Sequence, residues 1–362
     1  MRGRLAALRI ALSCALGVLT LSPPARAFFV TDPVHKGCHE RFTADLLQTL
    51  GYRGGAVPPP TTHDEDVFIA RQGFDASPYP HNMLAMALIL GVRSNDTAGY
   101  GSDTLINLAI ESNEEDMQPP NCLRRLSDDG EQGSELAVRR CREFIRREAE
   151  AALEGLAADG GVDPFEVEDE PIFIPYQGTV QWPLSRFYYH AGRALHALQD
   201  SFSHTYRDPS WHRVLTVLNW VDPVHGGYQE PRDGPQHALL LDDCDSARPW
   251  REGQLAAATA ASHALYSALL AAPVSSRDAA LAGINAVLDD WLTFQPGCGI
   301  ENGYCGSAVN QDIVATGAAG VSALRCDVGS PGHRAAASFA PVLLALLALL
   351  VSGARRRLRR GS

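Results

Sequence analysis

Apolar residues recur at three- and four-residue spacing along most of the chain, the period of a helix that buries one face. The pattern predicts helices over residues 38–50, 82–92, 104–111, 134–157, 184–204, 211–221, 251–270 and 276–294. Gly51 supplies a stop for the first of them. The helix over 134–157 carries Arg and Glu on its outer face, and the last two are rich in Ala and Leu. Loops fall between. Residues 54–62 are rich in Gly and Pro, and 117–129 hold Pro119, Pro120 and Cys122. Residues 159–177 are acidic, with 171–176 as a short extended piece. Residues 222–245 form a long polar loop with Cys244 near its end. A loop of that length in a compact domain is functional or tied down. No internal repeat is present. The expectation is an all-α body forming one domain over 28–325.

One predicted helix breaks the pattern. Its centre reads FYYHAGRALHALQDSFSHTYRD, from Phe187 to Asp208. His196, Asp200 and His204 are spaced i, i+4, i+8 and form a stripe, because each four-residue step turns the helix by about 40°. Arg193 and Arg207 lie at its two ends, and Leu195, Leu198 and Phe202 form a separate apolar face. Imidazole and carboxylate on successive turns make a seat for zinc or a similar divalent ion. The competing reading is a polar helix face, hydrated or hydrogen-bonded to its neighbours. His190 falls about 120° away from His196 and is read as structural.

Both chain ends carry targeting patterns. Residues 1–27 have Arg2, Arg4 and Arg9, an apolar run, then Ala25-Arg26-Ala27, which is the layout of a cleaved signal peptide. Residues 326–362 begin with Cys326-Asp327-Val328-Gly329, continue with a short apolar run over 339–351, and end with five arginines among the last eight residues. That layout resembles the C-terminal sorting signals of myxobacterial surface proteins, and it implies a sorting protease acting near Cys326. A plain membrane anchor is the alternative. The expected location is the cell surface, outer membrane or periplasm, with release also open.

The cysteines agree with export. Of eight, Cys14 falls in the leader and Cys326 in the tail, leaving Cys38, Cys122, Cys141, Cys244, Cys298 and Cys305. Three disulfides are expected, with Cys298–Cys305 as the local bridge. The full chain carries a net charge of −11. Removing the four arginines of the leader and six of the tail leaves a body near −21. Such a body is not a tight nucleic-acid binder through long-range attraction, although site metals can reverse the potential locally.

The chain has no GxSxG, HExxH, Walker-A or GxGxxG motif. The stretch HALQDSFSHTYRD instead resembles the central metal motif of the zinc-dependent phospholipase C and S1/P1 nuclease superfamily. The family is helical, exported and often disulfide-bonded, with up to three zinc ions. The resemblance implies His196 and Asp200 as ligands, with His204 as the further histidine. His39-Glu40-Arg41-Phe42-Thr43 resembles the family's early ligand helix, implying His39, with His35 as a spare. Cleavage after Ala27 exposes Phe28, whose amine and carbonyl would serve as the family's N-terminal ligand. Asp66 and His81 match the family's Asp and later His, with His63 and Asp64 as rivals. Asp66 is also the candidate for orienting or deprotonating water. His237 and Asp242 come nearest to the last ligand pair but are one residue further apart than the family's His-x-x-x-(Glu/Asp). His212 and His225 are rivals there. The implied activity is phosphodiester hydrolysis, either of phospholipid head-group esters or, as in a nuclease, of nucleic acid. A non-catalytic surface protein keeping the fold is the rival from another class.

Overall fold

The computed structural model describes residues 37–72, 81–97, 114–163, 165–174, 177–221, 227–273 and 276–316. The leader, the tail with Cys326, and Phe28, His35, His225 and the helix expected over 104–111 lie outside them. The larger helices are α1 (Cys38–Leu50), α2 (His63–Ala70), α3 (Met83–Thr97), α4 (Gly130–Glu154), α5 (Arg186–Ser203), α6 (Arg251–Ala271), α7 (Arg277–Trp291) and α8 (Ala308–Thr316). Among the described residues, none is long and apolar enough to cross a membrane.

The all-α expectation is corrected: the fold is largely helical but carries two small sheets. β1 (Val167–Ile174) and β2 (Gly178–Ser185) form an antiparallel hairpin. β3 (Thr205–Arg207), β4 (Arg213–Val217) and β5 (Thr293–Phe294) form the second sheet in that order. The stretch 211–221, expected as helix, contains β4. Its apolar run Val214-Leu215-Thr216-Val217 is buried throughout, and periodicity cannot distinguish a short, fully buried strand from a helix. Of the first sheet, residues 171–174 fall in the piece expected as extended over 171–176, and acidic and proline-rich composition hid the rest. Its period-two signal is Val180, Trp182 and Leu184 on β2 and Ile172 and Ile174 on β1, with Ile172 paired to Val180. Trp182 stacks on Phe68 of α2 with ring centres 4.1 Å apart, which seats the hairpin. The acidic segment around Asp66 is the helix α2. Thr62 and Glu65 form a capping box at its start.

The fold is organised around α5. Sixteen of its eighteen residues are buried, so a hydrated polar face is not available to it. α3, α4 and α6 pack on it. α3 approaches so closely because two glycines meet. A Cβ on Gly91 would lie 2.0 Å from the Tyr189 carbonyl oxygen, and one on Gly192 would lie 2.3 Å from that of Leu88. Beyond the end of α5, Arg207 donates to the carbonyls of Ser201, Trp211 and Trp291. It satisfies backbone acceptors that the helix end leaves open. Burial lowers the Arg207 pKa to about 9.

All three expected disulfides are present: Cys38–Cys244, Cys122–Cys141 and Cys298–Cys305. His190 is a structural link, since its ring bridges Glu148 of α4 (2.7 Å) and Glu168 of β1 (3.1 Å). Arg193 sits 3.5 Å from the same Glu148.

Two predictions follow from the packing and the ion pairs. Gly192→Ala should destabilise the chain by about 1–3 kcal/mol through overpacking. Gly283→Ala, exposed within α7 with nothing near its Cβ, should stabilise it by about 0.5–1 kcal/mol. Denaturant melts check both. The second prediction concerns pH. Burial opposes charge on His190, but Glu148 and Glu168 outweigh it and raise its pKa above 6.5. Burial opposes charge on Glu148, but His190 and Arg193 outweigh it and hold its pKa below 4.5. The His190 contribution is complete below about pH 6.5 and fades as pH rises through the raised value. That of Glu148 is complete above about pH 4.5 and fades as pH falls. The melting-temperature gap between wild type and His190→Gln should therefore peak between about pH 4.5 and 6.5. A gap widening toward pH 9 would contradict the ion pair.

Candidate metal centre

The start of α1, the length of α5 and the loop after β4 bring six expected ligands together. His39 lies in the first turn of α1. His196 and Asp200 lie on α5, and His204 is its C-terminal cap residue, one step beyond the helix. His237 and Asp242 come from the loop that Cys244 closes. The Cys38–Cys244 disulfide joins these distant segments beside the ligands themselves, one residue from His39 and two from Asp242.

The six residues form two groups, His39–His196–Asp200 and His204–His237–Asp242. Within each, the candidate ligand atoms lie within 4.8 Å of one another. Asp200 links the two. Its Oδ1 is 3.1 Å from His39 Nε2, and its Oδ2 is 2.9 Å from His196 Nε2 and 3.8 Å from His204 Nδ1. In the second group, Asp242 Oδ1 is 3.6 Å from His204 Nε2, and Oδ2 is 3.1 Å from His237 Nε2. All six residues are at most 2% exposed.

These contacts are close but mostly not hydrogen bonds. Neither Asp200 oxygen has a hydrogen-bond partner, nor do Asp242 Oδ2, His204 Nε2, His237 Nδ1 or His196 Nδ1. Buried polar groups are normally paired, and an orphaned set signals a missing ion or water. Neighbours hold two rings in position. His39 Nδ1 donates to Gln199 Oε1 at 2.6 Å, which turns Nε2 toward Asp200. His204 Nδ1 donates to the Asn121 carbonyl, which leaves Nε2 toward Asp242. A partner on one ring nitrogen that frees the other is how metal-binding histidines are fixed.

The electrostatics carry the same demand for positive charge. Burial pushes the Asp200 carboxyl up, but His196 and His204 outweigh it and hold it well below the usual carboxylate range. Burial lowers His204, but Asp200 and Asp242 raise it to about 9. His39 is likewise raised, with Asp200 overcoming burial. Protons on His39 and His204 therefore neutralise the carboxylates, and a divalent cation would replace them. Ligand atoms on a tetrahedral ion with ~2.1 Å bonds sit ~3.4 Å apart. The separations within the two groups, 2.9–3.6 Å, bracket that value.

Other expected residues lie elsewhere. Asp66 and His81 bind each other at 3.0 Å, are 40% and 74% exposed, and belong to neither group. Asp66 is further held by Thr61. His212 pairs with Asp290 and stacks on Trp291. A third set, Glu168–Glu170–His190, has suitable residue types. Both nitrogens of His190 are already hydrogen-bonded there, so no lone pair remains for a metal. Sequence reasoning missed Asp96 and Asn121, which both face His196: Asp96 Oδ1 at 3.5 Å and Asn121 Oδ1 at 3.2 Å from Nε2. Asn121 adjoins the cysteine of the Cys122–Cys141 disulfide, the one signal that marked its segment as held in place. Asp96 had no signal beyond a polar tail on an apolar helix.

Comparison with protein-family models, with curated proteins and with solved structures finds no match to this chain.

Metal removal should expose the linkage between ion and fold. Treatment with EDTA should lower the melting temperature and added zinc should restore it, with about 2.7 kcal/mol gained per site at one hundred times Kd. In His196→Ala the zinc-dependent part should shrink. An unchanged melting temperature with and without EDTA, in a chain containing no metal by elemental analysis, would sink the centre.

Proposed function

We propose that this chain is an exported zinc-dependent phosphodiester hydrolase acting on phospholipid head-group esters. One observation carries the reading: a fully buried carboxylate, Asp200, that belongs to one histidine–aspartate group and lies 3.8 Å from His204 of a second. The donor set suits zinc, with imidazoles and carboxylates and no thiolate. His39, His196 and Asp200 would hold one ion, and His204, His237 and Asp242 a second. Zinc in such a site acidifies a water and neutralises charge on phosphoryl oxygens.

The protein's own part is positioning. Asp200 projects from a helix packed on nearly all sides, which keeps it rigid. Gln199 and the Asn121 carbonyl fix the tautomers of His39 and His204. The apolar surroundings strengthen every charge interaction inside. Asp66 is given no part, since it lies in a capped surface helix bound to Thr61 and His81. The leader pattern and three disulfides support export.

A second reading is a structural metal centre in a non-catalytic surface protein. The observation favouring it is the near-complete burial of all six ligands. Assays with p-nitrophenyl phosphorylcholine, phosphatidylcholine vesicles and single-stranded DNA separate the readings. The enzyme should hydrolyse the choline esters in a zinc-dependent way, and Asp200→Asn should lose about 100-fold or more of that activity. Turnover of DNA alone would make the chain a nuclease. Bound zinc without hydrolysis of any of the three would leave the structural reading.

A further inference from the structure

Resting on the metal centre just proposed, we infer that Asp96 is a direct ligand of that centre, supplying the carboxylate that Asp66 was expected to give. The placement begins with the Gly91–Gly192 contact. It lets α3 run against α5 without intervening side chains, and it carries the last turn of α3 up to His196. Asn95 secures the approach, donating to the carbonyls of Pro120 and Arg193. The next residue is Asp96, whose side chain is only 10% exposed.

Its ion-pair contact is with His196 at 3.5 Å, an imidazole it shares with Asp200. The last turn of a helix presents the negative end of its dipole, which disfavours an acid. The other carboxylate beside His196 is Asp200, and like charges in a buried site repel. Asp96 Oδ2 is buried and has no hydrogen-bond partner. A buried carboxylate with an orphaned oxygen is costly, and a cation bound beside it would remove that cost.

The geometry also separates a ligand from an orienting partner. A carboxylate that merely orients a metal-binding histidine takes the ring nitrogen opposite the metal. Asp96 instead faces Nε2 at 3.5 Å, the same nitrogen that faces Asp200 Oδ2 at 2.9 Å. Asn121 Oδ1 reaches this nitrogen too, at 3.2 Å. One N–H can serve one of the three oxygens, and it serves Asn121. Asp96 Oδ1 and Asp200 Oδ2 then converge on His196 with no proton between them. A divalent ion that displaced the Nε2 proton, and with it the bond to Asn121, would be held by the nitrogen and by the two carboxylates that approach it. Asp66 and His81 meet none of these conditions, being exposed and already paired with each other.

The test uses the purified full chain and zinc or cobalt(II) as the probe. Zinc per chain is measured by elemental analysis, affinity by chelator competition, and ligand environment by the visible spectrum of the cobalt form. Asp96→Asn should lose one equivalent of metal. Failing that, it should weaken one site by more than the roughly 10–100-fold that loss of an orienting partner costs. It should also change the cobalt spectrum, whereas Asp66→Asn should leave all three readouts unchanged. Asn removes a buried charge, so the metal-free melting temperature should stay level or rise while the zinc-induced increase shrinks. A lower metal-free melting temperature with an unchanged zinc-induced increase would make Asp96 purely structural and overturn the inference. So would loss of metal in Asp66→Asn rather than in Asp96→Asn. If the wild type binds no zinc, the metal centre itself fails, a result distinct from either.

Discussion

A carboxylate with no exposed surface faces three imidazoles and accepts no hydrogen bond, and the rest of this fold is arranged around it. Asp200 cannot be left charged and alone in a packed interior. Placing it there commits the chain to supplying positive charge from elsewhere. His196 and His204 come from its own helix and cap. His39 comes from α1, more than 150 residues earlier in the chain. Helix α5 is enclosed because its polar stripe has to meet other protein groups rather than water. The facing glycines of α3 and α5 allow the closest of those enclosing contacts.

Bringing remote segments to one point has an entropic cost, and the disulfides bear on it. Cys38–Cys244 closes a separation of 206 residues beside two of the ligand-bearing segments. In the chain-entropy account such a link restricts the unfolded state and leaves less to be lost on folding. The Cys122–Cys141 bridge does the same for the Asn121 segment, which touches both histidine groups. The two bridges and the two fixed tautomers are forms of one device. Each organises the donors before an ion arrives, so less of the binding free energy is spent on ordering them.

What was legible in the sequence follows from how local each signal is. The i, i+4, i+8 stripe on α5 was readable because helical spacing alone puts those side chains on one face. His39 was readable from its motif at the start of a helix. His237 and Asp242 were readable only as the nearest available pair, and their extra residue of spacing makes sense in a loop that need not keep helical periodicity. Asp96 was invisible. Its role depends on a contact between two glycines, and glycine leaves no hydrophobic pattern. The Asp66–His81 pair looked right by spacing, but a capping box turned its segment into a surface helix. Beyond the extended piece read at 171–176, the strands were missed for two reasons. β4 is uniformly buried and so lacks alternation, and the β1–β2 hairpin alternates within a composition that reads as loop.

The group around His190 shows why residue types alone do not define such a centre. Glu168, Glu170 and His190 have the same kinds of ligand atom at the same separation as the two central groups. The difference lies in what the imidazole is doing. Both nitrogens of His190 donate to carboxylates, so the positive charge already there is a proton, and the group is complete as an ion pair joining α4, α5 and β1. At His204 one nitrogen donates to a backbone carbonyl, and the other meets a carboxylate without a hydrogen bond. Only the second arrangement leaves a ring nitrogen and an anion facing each other without a hydrogen bond, a gap that a divalent cation fills in place of the His204 proton. The number of unsatisfied donor atoms, rather than the number of histidines and acids, therefore separates a metal centre from a buried salt bridge in this fold.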